Sequence, residues 1–336
     1  MYPFYRLILK RALRISWRNK WLWGLAFFAA FIGNGSVYEA LIRSFNNLSE
    51  GNSAFLVLKE YSQMGIVGLA SFSNLKSLWQ SDPSAFGITI LTTVLFLSVL
   101  ALLISFAVIG QGGVIRSIVN IDQNKGASLK SGIKHGVERF WSILEVNIIG
   151  KLILFGALML LMYLASLMHF DNGIANLVVY ILSFSIFIIF GIIIYFLTIY
   201  GTAFVVLRED NAFRALKDAW QLFLKNPLLN LEMGLLLFIV NILVAVVFFI
   251  AVFILLAPFL LVYIVFVFAG WTTGMETMTT IITLIFITLL ILMGSWYSTF
   301  QLGAWAILFE ELALNGGKSK IVRVYEHVKT LIKRKK

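Results

Sequence analysis

Long uncharged apolar runs alternate along the chain with short segments in which apolar and basic residues recur at helical spacing. A bilayer core takes about 20 consecutive apolar residues to cross as a helix. Six stretches answer to that description: 21–42, 88–109, 148–168, 177–207, 233–273 and 281–309. The first is interrupted by Asn34, Gly35, Ser36 and Glu39. The third carries Lys151 near its start, and the fourth has no charge at all. The fifth is longer than one crossing needs and contains Pro258, which removes a hydrogen bond from the helical ladder.

The basic residues choose between one crossing and two for that fifth stretch. With six crossings and a cytoplasmic N-terminus, all but four of the 27 basic residues fall on the cytoplasmic side; Arg43, Lys59 and Lys76 lie outside and Lys151 lies in the membrane. Positive loops stay inside during insertion. The expectation is therefore one span to about Pro258, then a bent or interfacial continuation on the outer side. A signal peptide is the competing reading of the N-terminus. Its basic region is long for a signal and no A-x-A site follows, which favours an uncleaved first span. The outer segment 43–87 has balanced charges and is expected to be an interfacial segment, a lid or a partner surface.

The segments that precede the odd-numbered spans share a pattern of small residue, aliphatic, charge, two variable positions and Trp. They read Ala12-Leu13-Arg14-Ile15-Ser16-Trp17, Gly136-Val137-Glu138-Arg139-Phe140-Trp141 and Ala215-Leu216-Lys217-Asp218-Ala219-Trp220. The even spans end alike as well: Gly110 runs to Arg116, Gly201 to Arg208 and Gly303 to Glu310. Each segment has a one-sided helical stripe, such as Leu129, Ile133 and Val137 after a Ser128 cap, or Phe213, Leu216, Ala219 and Trp220. A basic polar face with Trp suits a headgroup region.

The predicted fold class is thus an all-α membrane protein with six transmembrane helices, arranged as three amphipathic-helix-plus-hairpin repeats and a C-terminal amphipathic helix. The units are 1–109, 110–207 and 208–316, with a basic tail 317–336, in a single polytopic domain. Repeats of this kind often assemble around a pseudo-symmetry axis.

With Gly201 upstream, Ala215-Leu216-Lys217-Asp218-Ala219-Trp220 and Lys225-Asn226-Pro227 give a layout that resembles the membrane domain of glycerophosphoryl diester phosphodiesterases and related bacterial six-span membrane proteins. The resemblance covers most of the chain as a pattern. It implies a membrane module and carries no activity, because that domain is not the catalytic part of those enzymes.

Composition changes the picture by exclusion. Hydrophobic residues make up 60% and charged residues 13% of the chain, against about 25% charged in soluble domains. A soluble globular or disordered reading is excluded. Zero Cys removes disulfides, thiolate nucleophiles, Cys-ligated zinc and iron–sulfur clusters. The net charge of +11 is spread beside four membrane entry points, where insertion and anionic lipid both favour it. Nucleic acid as a partner is therefore not expected.

Catalytic chemistry is absent from the pattern. His135, His169 and His327 lie in separate segments with no metal-binding spacing. Gly110-Gln111-Gly112-Gly113 lacks the G-K-[ST] ending of a phosphate loop and reads as close helix packing. The pairs Glu209-Asp210 and Glu310-Glu311 point about 100° apart on a helix and do not converge; solvation or pairing with Arg208, Arg214 and nearby Lys is expected. The chain is expected to be no enzyme and to use no cofactor or metal.

Two candidate sites remain. One is intramembrane and polar: Lys151, Asn241 and Glu232, with Lys151 either snorkelling to the headgroups or pairing with Glu145 or Glu232. The other is a set of lipid-headgroup contacts: Arg6, Lys10, Arg14, Arg18, Lys333 and Arg334. They point to a lipid- or partner-organising module of the cytoplasmic membrane, with anionic lipid headgroups as partner. A transporter or channel for a lipid or small solute is the alternative.

Overall fold

The computed structural model describes residues 4–32, 72–167 and 173–315, and every regular element within them is a helix. In chain order these are α1 (Phe4–Arg18), α2 (Trp21–Ala29, continued by a 3-10 turn Ala30–Ile32), α3 (Phe72–Ser81), α4 (Pro83–Asp122) and α5 (Leu129–Glu138). They are followed by α6 (Phe140–Leu167), α7 (Gly173–Arg208), α8 (Ala212–Lys225), α9 (Pro227–Phe268) and α10 (Thr272–Asn315). Among the described residues, five helices (α4, α6, α7, α9 and α10) are long and apolar enough to cross a membrane. The first expected span is described only to Ile32. Its apolar helix Trp21–Ile32 is too short to cross alone, and 33–42 lie outside the described residues. The C-terminal amphipathic helix, with Lys333 and Arg334, and His169 and His327 lie outside them too.

Local chemistry fixes the helix starts. Asp82 caps α4: its carboxylate accepts from the amides of Ser84 and Ala85, both at 3.0 Å, and Pro83 occupies the first turn. Those bonds, led by the one from the Ser84 hydroxyl, hold the Asp82 carboxyl below its usual range. Ser128 caps α5 as expected, in a reciprocal box with Ser131. Pro227 ends the preceding segment and opens α9.

The helix does not end at Pro258: α9 continues through it as one 42-residue helix, and the chain reverses only at Gly270, whose φ is +66°. A proline forfeits one ladder bond. In an apolar run with no water to compete, the remaining backbone groups are satisfied only by continuing the helix. At 1.5 Å per residue α9 rises about 63 Å. That is about twice a hydrocarbon core, so this helix tilts steeply or projects beyond it.

Burial is strongly one-ended. In α4, the large apolar residues between Ile88 and Phe106 are exposed, whereas Ala107, Val108 and Val114 to Val119 are buried or nearly so. In α10 the buried stretch is Phe300–Phe309, and in α7 it is the last turns to Val206. The main core therefore lies at the end of the bundle that carries α1, α5 and α8. Apolar side chains on the opposite half face outward, in an amount a water-soluble protein does not tolerate but lipid does.

What α5 and α8 bury is small. Gly132 and Gly136 of α5, and Ala212, Ala215 and Ala219 of α8, are buried; Leu129, Ile133, Val137, Phe213, Trp220 and Leu224 are exposed. Small residues let helix axes approach closely, which is where packing energy comes from in lipid. Each of these helices docks beside a glycine near the end of a long helix. A Cβ at Gly136 would sit 2.3 Å from the Ile109 carbonyl oxygen of α4, and one at Gly110 equally close to the Leu25 carbonyl oxygen of α2. Leu216 of α8 would lie 3.2 Å from a Cβ at Gly201 of α7. Ala12 of α1 lies against Gly303 of α10, far away in the chain.

These contacts set the first test. Gly136→Ala should destabilise the protein by about 1–3 kcal/mol through overpacking against backbone that cannot yield. Gly24→Ala, with nothing within 4 Å of the new Cβ, should be neutral or slightly stabilising. Thermal unfolding of both variants in the same detergent is the measurement.

Candidate functional site

Three helices, α4, α7 and α10, enclose a discontinuous axial path. Each contributes a stripe at four-residue spacing: Gln111, Ile115 and Val119; Tyr195, Ile199, Ala203 and Leu207; Ser298, Leu302, Ala306 and Glu310. Residues four apart share a helix face, so the stripes follow one direction through the bundle.

The inner part of the path is a cavity of about 470 Å³. Its polar wall is held by bonds between helices. The Asn147 amide donates to Gln111 Oε1 at 2.9 Å and also to the Ile143 carbonyl; both side chains are buried. The Gln301 amide donates to the Tyr195 hydroxyl at 2.9 Å. Lys151, one turn beyond Asn147 on α6, completes the wall. Next comes a constriction at Ile115, Ala203, Trp305 and Ala306, where the void shrinks to about 10 Å³, room for one water at most. Beyond it the path widens to about 330 Å³ at the basic end, between Arg116, Lys125, Arg208 and Glu310.

The three intramembrane candidates do not form one site. Lys151 lines the inner cavity. Asn241 is exposed on α9 and is no part of that cavity's wall. Glu232 lies in the second turn of α9, where it accepts a hydrogen bond from the Tyr5 hydroxyl and ties α9 to α1. Nearby, the Tyr200 hydroxyl donates to Asn230 Oδ1 at 2.5 Å, and both side chains are buried. The headgroup candidates on α1 behave as a set: Arg6, Lys10, Arg14 and Arg18 are all exposed.

Arg11 lies off that face. It turns inward and clamps three helices: Nε donates to Asp122 Oδ1 at 2.8 Å, Nη2 donates to Asp122 Oδ2, and Nη1 donates to Glu311 Oε1 at 2.7 Å. The hydrogen bonds donated to Asp122, with that to Glu311 adding to them, raise the Arg11 guanidinium above its ordinary value. Three of the four paired acids have partners other than Arg208, Arg214 or Lys. Glu209 pairs with Arg139, Glu310 accepts from Gln123, and Glu311 pairs with Arg11. The stripe of Arg6, Lys10, Arg14 and Arg18 leaves Arg11 off that face, but its two partners, Asp122 and Glu311, are set only by how α4 and α10 end. No group of three metal-binding side chains exists among the described residues. The Gly110–Gly113 run lies inside α4, with its backbone engaged in the helix and its surface against α2 and α5.

The chain matches no family model, and comparison with curated proteins and with solved structures finds no match.

Removing the clamp gives a direct test. Arg11→Met strands Asp122, whose side chain is 7% exposed, and should lower stability by about 2 kcal/mol, discounted for the partial exposure of Arg11. Adding Asp122→Asn in the same chain should recover part of the loss in a thermal-unfolding double-mutant cycle.

Proposed function

We propose that the protein is a non-catalytic six-span module of the cytoplasmic membrane, with both termini inside, that organises anionic lipid against its basic end. The observation that carries this reading is the division of α1 into two faces. Ile8, Ala12 and Ile15 dock on the bundle, while Arg6, Lys10, Arg14 and Arg18 point outward beside exposed Leu13 and Trp17. A docked helix with this outer face lies at the headgroup level, where each cation near an anionic surface contributes about 1 kcal/mol.

Support for the three-unit arrangement comes from equivalent positions having equivalent surroundings. Ala12, Gly136 and Ala215 are all buried, and Trp17, Trp141 and Trp220 are all exposed. α5 docks on the preceding α4 and α8 on the preceding α7, and α1 closes the ring on the last helix, α10.

The full chain in mixed vesicles tests the proposal. With spin-labelled phosphatidylglycerol, the wild type should show a preference over phosphatidylcholine that falls several-fold when Arg6, Lys10, Arg14 and Arg18 are all changed to Gln. An unchanged preference, with the variant folded, rejects the proposal.

The axial path favours a second reading, a transporter or scramblase for a lipid or small solute. Its two cavities lie on the same three helix faces, separated only by the Ile115–Trp305 constriction. Fluorescent-lipid scrambling in proteoliposomes above the rate of empty vesicles is the outcome this reading expects; equal rates remove it.

A further inference from the structure

At the basic end, the three equivalent long-helix ends converge on one cavity. Arg116, Arg208 and Glu310 close the runs that begin at Gly110, Gly201 and Gly303, and all three line the cavity of about 330 Å³. That volume falls in the range of small-ligand sites. Two positions carry guanidinium groups and the third a carboxylate, so the near-symmetric frame presents an asymmetric polar lining.

The groups on that lining are only partly engaged. Arg116 Nη1 reaches the last carbonyls of α7, Val206 and Leu207, at 3.4 and 3.5 Å, both long for a hydrogen bond. Arg116 Nε is buried without a hydrogen-bond partner among the described residues. The Arg208 guanidinium lies 5.1 Å from the centre of the Phe204 ring, which orients it and leaves its edges available. Lys125 adds a third cation. Glu310 Oε1 accepts from the Gln123 amide, but Glu310 Oε2 is buried without a partner among the described residues. The neighbouring acids Asp122 and Glu311 are held by Arg11 and do not neutralise the cavity. Buried polar atoms are normally paired, and an unpaired ionic one is costly. The cavity thus offers donors to an anion at one side and an acceptor to a donor at the other.

We propose that this cavity binds a phosphodiester headgroup whose far end carries a hydrogen-bond donor, an ethanolamine ammonium or a glycerol hydroxyl. The phosphate accepts from Arg116, Arg208 and Lys125, and the far end donates to Glu310 Oε2. A choline headgroup has no N–H or O–H to give and leaves Glu310 unsatisfied. The proposal builds on the lipid-binding reading of the basic end but uses none of the exposed α1 cations.

Native mass spectrometry of the full-length, delipidated protein with added phosphatidylethanolamine, phosphatidylglycerol or phosphatidylcholine tests it. One equivalent of either donor-bearing lipid should be retained, with phosphatidylcholine about tenfold weaker, the size of one charge-assisted hydrogen bond. Glu310→Leu should abolish that discrimination while leaving phosphatidylcholine retention unchanged, which misfolding does not mimic. Arg116→Gln with Arg208→Gln should weaken both donor-bearing lipids at least about tenfold. Where that pair fails to fold, Lys125→Gln, on an exposed side chain, takes its place. Displacement by glycerophosphoethanolamine, the soluble diester, at concentrations matching the lipid would assign the same chemistry to a soluble ester; no displacement assigns it to lipid. Equal retention of all three lipids by the wild type, or discrimination that survives Glu310→Leu, overturns the proposal. The Arg6, Lys10, Arg14 and Arg18 to Gln variant separates the two readings: it should keep the bound headgroup even where it loses its bulk preference for phosphatidylglycerol.

Discussion

Helix backbones come together at the basic end because small residues meet there, and the rest of the structure depends on that approach. Lipid tails are as apolar as Leu, so burying large side chains inside the bundle gains little over leaving them in the bilayer. Close packing is what remains. The protein places glycine and alanine at its helix contacts: Gly110 against α2, Gly136 against α4, and Ala12 against Gly303. Large residues such as Phe213, Val137 and Trp141 are turned outward. The Arg11 clamp operates at this same end, joining the ends of α4 and α10 to α1.

That concentration of contacts leaves the other half of the molecule loosely packed against itself. α9 and α10 form a long hairpin whose far half, beyond Leu256 and up to Gly294, is mostly exposed, with Gly274 its one buried residue. A smaller cluster of Leu154, Leu158, Met162, Phe187 and Ile194 holds α6 to α7 at intermediate depth. Rigidity at one end and lipid contact at the other put a precisely held polar cavity where the helix ends meet.

The axial path follows from the same packing. The lining faces of α4, α7 and α10 carry polar residues that pair across the interior, Gln111 with Asn147 of α6 and Gln301 with Tyr195. Where the facing residues are Ile115, Ala203 and Trp305, the path closes. Where they are Arg116, Arg208 and Glu310, it opens and becomes charged.

The sequence alone determined the class of the protein and the position of most helices. Uncharged runs of more than 20 residues leave a backbone no alternative to helix in lipid, the Ser128 signal placed one helix start, and Pro227 marked the end of the third amphipathic segment. It also marked the small residue and the Trp of each amphipathic segment. It could not say that Pro258 leaves its helix intact, because whether one lost bond ends a helix depends on what surrounds the freed carbonyl. Nor could it show that Arg11 belongs with Asp122 and Glu311, or Glu232 with Tyr5. Those pairings join residues tens to hundreds of positions apart, and only the closing of α1 onto α10 and the convergence of three helix ends bring their side chains within bonding distance.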